Sequence, residues 1–135
     1  MKRSGFATAV SCIDGRVVFP VSEWMRDHFA VEWVDMVTEP GADRIMTLGP
    51  PPTIDSIKQK VVRSVKGHHS GVVAVVGHHD CLANPVPRNE HVAYLKQSVE
   101  RVASWRLSVR VVGLWVNEQW AVEIVADTGW RGTSH

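Results

Sequence analysis

Apolar residues fall along this chain in two alternating rhythms. Phe6 to Cys12, Val31 to Thr38 and Val72 to Val76 are short, nearly unbroken apolar runs, and the first and third are bounded by glycines, which predicts buried strands. Val72 to Val76 shows no polar alternation, as expected of a strand covered on both faces in a parallel sheet. Between these runs the spacing becomes helical. A helix is expected over Pro20 to Ala30, with Pro20 in its first turn and Trp24, Met25, His28 and Phe29 on its apolar side. A second is expected from an N-cap at Thr53 to about Lys66, carrying Ile54, Ile57, Val61 and Val65 on one face. A third runs from Arg88 to about Arg106, striped by Val92, Leu95, Val99, Val102 and Trp105.

Glu39-Pro40-Gly41 and Gly49-Pro50-Pro51-Pro52 are breaker clusters. Near the end, Val109 to Val116 and Trp120 to Val125 are β-rich runs separated by Asn117-Glu118-Gln119, which predicts a hairpin. Strands alternating with helices specify an α/β fold: a central, mostly parallel sheet in the order 2-1-3-4 with flanking helices and a C-terminal antiparallel strand. In such sheets ligands sit beyond the carboxyl ends of the strands, where the strand order reverses. Here that place lies between the first and third strands.

Those two strands end in the residues with the most chemistry. Cys12-Ile13-Asp14-Gly15-Arg16 follows the first, and His78-His79-Asp80-Cys81 follows the third. Two thiolates and an imidazole form a good zinc set, with His78 and Cys81 gripping one ion from a turn and Cys12 closing from the neighbouring strand. Asp14 and Arg16 follow Cys12 at two-residue intervals, so an extended segment would present all three side chains on one side. Arg16 would then pair with Asp14 and keep its carboxylate from taking the fourth metal position. Either half alone is ordinary, because buried cysteines often only pack and an Asp-x-Arg is often a surface ion pair. The conjunction at adjacent strand ends is not.

With 135 residues the chain fits one domain, residues 1–135. Its 15 basic and 14 acidic residues create no field for nucleic acid or an anionic membrane, and no apolar run is long enough to span a bilayer. Nothing at the N-terminus reads as a signal peptide, and two cysteines are too few for a disulfide framework, so a cytoplasmic location is expected.

The Cys12-x-Asp14-x-Arg16 and His78-x-x-Cys81 motifs resemble those of the β-class carbonic anhydrases, and the likeness extends from about Phe6 to Val125. That resemblance implies Zn2+ held by Cys12, His78 and Cys81, with Asp14 and Arg16 as the catalytic dyad. It implies reversible hydration of carbon dioxide to bicarbonate through a zinc-bound hydroxide, in a homodimer or higher assembly of dimers. A noncatalytic zinc-bearing dimeric module, or a hydrolase of carbon disulfide or carbonyl sulfide, would use the same fold. The sequence departs from the family in three places. Only Met1 to Gly5 stand where the family has a helical arm, Glu39-Pro40-Gly41-Ala42 replaces Arg-Asn-Ala-Gly, and Leu82 replaces a glycine after the second cysteine, which is expected to narrow the pocket.

Among the remaining residues, His79 is either an additional ligand or proton shuttle, or a neighbour that points away. His68 and His69 suit a helix end. Trp24 and Trp105 suit helix cores, Trp115 and Trp120 are expected to cover a dimer seam, and Gly129 to His135 reads as a polar tail.

Overall fold

The computed structural model describes residues 2–129, so the expected polar tail lies outside it beyond Gly129. Its elements are β1 (Phe6–Ser11), α1 (Gly15–His28), β2 (Trp33–Thr38), α2 (Ala42–Leu48), α3 (Pro51–His68), β3 (Val72–His78), α4 (Arg88–Ala103), β4 (Arg110–Val116) and β5 (Val122–Asp127). They form one sheet in the order β2-β1-β3-β4-β5. The first four strands are parallel and β5 runs antiparallel to β4, with a register shift at Gly113/Leu114. This is the expected α/β architecture.

Alternation along the strands sorts the core into two layers. Val73 and Val75 face one way, with Val10, Met46, Ile57, Val61, Leu95 and Val99, beneath α2, α3 and α4. Val72, Ala74 and Val76 face the other, with Ala7, Ala9, Val17, Val21 and Met25, beneath α1. All of β3 is buried, as its unbroken apolar run predicts. Within β1, Thr8 is buried with its hydroxyl 2.7 Å from those of both Ser64 and Ser70, so α3 is stitched to the sheet by hydroxyls as well as by packing.

Four expectations need correction. Helix α1 starts five residues before Pro20, which therefore lies in the helix interior. The start is set by Asp14, whose side chain accepts a hydrogen bond from the Arg16 N–H and caps the helix. A short helix, α2, occupies the interval between the two breaker clusters, where no element was expected. Helix α3 begins at Pro51 rather than after Thr53, because prolines in a first turn lack only N–H groups that have no helical partner. Finally, Trp115 is 3% exposed and packs inside the core, so it covers no seam. Trp24 and Trp105 are half-buried and pack against the two core layers.

Candidate metal centre

Strands β1 and β3 are parallel neighbours, so their carboxyl ends emerge side by side. The chain leaves β1 toward β2 and leaves β3 toward β4, on opposite sides, which opens a crevice between them. Cys12 stands just beyond β1 and His78 is the last residue of β3; the turn that follows returns Cys81 to the same place. The two sulfurs and a His78 ring nitrogen all lie within 4.8 Å of one another, and all three residues are buried. His79 is outside that group; its ring lies 5.0 Å from that of Trp120.

The donor chemistry fits a metal ion. His78 Nδ1 lies 2.7 Å from the His79 carbonyl and donates to it, which fixes the tautomer and leaves Nε2 as an acceptor. Among the described residues that buried Nε2 has no hydrogen-bond partner, an unsatisfied lone pair held beside two thiols. Burial lowers the His78 pKa and so favours the neutral imidazole that metals bind. Burial, and then the neighbouring Cys12, push the Cys81 thiol up to about 11, the expected behaviour of a buried thiol before a cation neutralises its thiolate.

Asp14 and Arg16 lie at the edge of this crevice. Arg16 donates from Nε to Asp14 Oδ1 at 3.1 Å and from Nη2 to Oδ2 at 2.7 Å. The pair was expected, but its geometry has a different origin. The segment is not extended: Asp14 is the N-cap of α1 and Arg16 belongs to the first turn, so a helix start presents the pair. Arg16's hydrogen bond is the main reason the Asp14 carboxyl falls to about 2. The same pairing, with Asp80, raises the pKa of the Arg16 guanidinium.

Two further partners of Arg16 were not legible in the sequence. Arg16 Nη1 lies 3.1 Å from Asp80 Oδ2, and Nη2 donates to the Asp80 carbonyl at 3.2 Å. Its guanidinium carbon lies 4.8 Å from the centroid of the Trp120 ring, within cation–π range. Trp120 reaches it from the β4–β5 turn, where Asn117 Oδ1 accepts from the N–H groups of Gln119 and Ala121. Asparagine opening a short turn between two β-rich runs was the available signal. Leu82 is 93% exposed and turns outward, so within one subunit it does not narrow the crevice.

A parallel sheet that gathers two cysteines and a histidine at its switch point defines an α/β protein with a candidate metal centre. Residues 2–126 match the model of a family described as "Putative carbonic anhydrase", and the chain belongs to that family. Its fold is that of the β-carbonic anhydrases. Isoform I from Trichomonas vaginalis superposes with a TM-score of 0.59 at 16% identity, covering 94% of this chain and 86% of that one. The β-carbonic anhydrase of Aspergillus fumigatus gives 0.58 at 12% identity, covering 98% and 81%. A carbonic anhydrase from Glaciozyma antarctica gives 0.53 at 13% identity, covering 92% and 84%. No curated protein matches the sequence. No helix among the described residues is long and apolar enough to cross a membrane.

Proposed function

We propose that this protein is a zinc-dependent carbonic anhydrase that interconverts carbon dioxide and bicarbonate. The observation that carries the reading is the meeting of Cys12, His78 and Cys81 beside a carboxylate that Arg16 already holds. Zinc in this position would lower the pKa of a bound water and supply a nucleophile at neutral pH. Cys12, His78 and Cys81 are the proposed ligands, and they leave a fourth position open.

The chain's own residues account for the rest. Arg16 keeps Asp14 ionised and engages both of its oxygens, so the carboxylate is an oriented hydrogen-bond acceptor rather than a competing ligand. Family membership and the shared fold support this assignment of roles. Carbon disulfide and carbonyl sulfide, linear like carbon dioxide, are the alternative substrates.

The same reading takes residues 1–135 as one domain acting in the cytoplasm as a homodimer or a higher assembly of dimers.

The deciding experiment is stopped-flow hydration of carbon dioxide across pH, on protein whose zinc content has been measured. Activity should rise with pH, disappear on chelation and return with zinc. Zinc-loaded protein with no hydration activity on carbon dioxide and no hydrolysis of the two sulfur analogues would instead be a noncatalytic zinc-bearing module.

A further inference from the structure

Behind the metal loop lies a second buried polar cluster. Asp43, in the first turn of α2, is 1% exposed, as are Asn84 and His91. Asp43 Oδ1 accepts from the Arg44 N–H at 2.9 Å and from Asn84 Nδ2 at 3.1 Å, while Oδ2 lies 2.6 Å from His91 Nδ1. The Asp43 carbonyl accepts from Thr47 Oγ1 at 3.0 Å and from Ser98 Oγ at 3.1 Å. One residue thus ties α2 to α4 and to the segment that follows Cys81.

Two contacts connect the cluster to the ligands themselves. The Asn84 N–H donates to the Cys81 carbonyl, N to O 3.3 Å, so the side chain held by Asp43 belongs to the residue that closes the ligand's own turn. On the other side stands Gly77, the residue before His78. A Cβ on Gly77 would lie 2.8 Å from Asp43 Oδ2 and 3.3 Å from His91 Nδ1, so the pair rests directly against the backbone that delivers His78. Among the described residues His91 Nε2 has no hydrogen-bond partner; Asp43 orients the ring through Nδ1, with Asn84 Nδ2 3.5 Å from that nitrogen and the Trp115 ring 5.0 Å away.

A buried carboxylate is costly to desolvate, and apolar side chains filling the same space generally stabilise a fold as well or better. What a hydrogen-bonded cluster adds is direction, because each bond fixes an angle as well as a distance. We propose that Asp43, through Asn84 and His91, is a positioning residue for the metal centre, setting where Cys81 and His78 stand relative to each other. This rests on the metal reading given above. Asp43 touches neither ligand, so its effect should appear in how the ion is held.

The test is titration of the metal-free protein with cobalt(II), reading affinity together with the thiolate charge-transfer and d–d absorption bands. Asn84→Ala and Asp43→Ala should each weaken cobalt binding by about tenfold or more and shift the d–d bands, the range seen when groups supporting metal ligands are lost. Asp43→Asn, which keeps an oxygen for Arg44 and Asn84, should bind closer to wild type. Val102→Ala, in the core at the far end of α4, controls for stability: it should lower the melting temperature but leave affinity and bands unchanged. If Asp43→Ala fails to fold, Asn84→Ala decides alone. Wild-type affinity and bands in Asn84→Ala would overturn the positioning role and leave the metal site intact. A wild-type protein that binds no cobalt would overturn the metal reading, and this proposal with it.

Discussion

Arg16 grips Asp14 three times: its backbone N–H and its Nε both donate to Oδ1, at 2.9 and 3.1 Å, and its Nη2 donates to Oδ2 at 2.7 Å. The carboxylate is therefore fixed in position, in rotation and in charge. A side chain used only as a helix cap would not need the guanidinium.

Removing either member should separate catalysis from metal retention. Arg16→Ala frees a carboxylate beside the ion, where it can take the fourth position. Asp14→Asn leaves that position open but removes the ionised acceptor. Both variants should keep zinc by metal analysis, and both should lose about a hundredfold or more in hydration rate. A wild-type rate in either one would exclude the dyad.

The pair also makes a prediction about acid stability. Asp14 titrates near 2 when folded, against 3.8 ordinarily, so its contribution is complete above about pH 4 and vanishes as the pH falls through 2. Asparagine is an equally good N-cap, so Asp14→Asn removes mainly the charge. Denaturant unfolding of metal-free protein should show wild type more stable than the variant at pH 5, with the gap closing by pH 2. Arg16 is half exposed and Asp14 partly so, and solvent screens the pair, so the gap should be small.

Zinc analysis should find one ion per chain, and Cys81→Ser should lose most of it. Serine presents a hard, protonated hydroxyl where the site needs a soft thiolate. Full retention of zinc would remove Cys81 from the ligand set.

Trp120→Ala should weaken activity without abolishing it. An exposed cation–π contact is worth about 0.5–1 kcal/mol, which corresponds to roughly a two- to fivefold lower kcat/KM if Arg16 is held less firmly. Trp120→Phe keeps an aromatic face and should fall between the two. No change in Trp120→Ala would mean that the carboxylates alone secure Arg16.

The strands and the long helices were legible because burial imposes a period on the sequence, and β3 is the plainest case. Helix α2 was not, because seven residues between two Pro-Gly boundaries are too few to display a helical repeat. The start of α1 was hidden for another reason. Pro20 resembles a helix start, whereas the actual signal was Asp14, read for its chemistry rather than as a cap. The ligand triad could be read because each half of it is local in sequence. The hold of Trp120 and Asp80 on Arg16 could not, since it depends on how the β4–β5 turn folds across the start of α1. Asp43 and His91 escaped notice because an acidic residue in a short helix ordinarily faces water; their pairing exists only once α2 and α4 have docked.

The placement of the proposed ligands at the ends of two separate strands also bears on the order of folding events. Cys12 and Cys81 come together only after β1 and β3 have paired, a contact between distant parts of the chain that parallel sheets make slowly. Before that, His78 and Cys81 alone would offer a metal ion only two of the three proposed donors. Metal should therefore leave the refolding rate nearly unchanged and act on the reverse step, making the assembled protein slow to come apart.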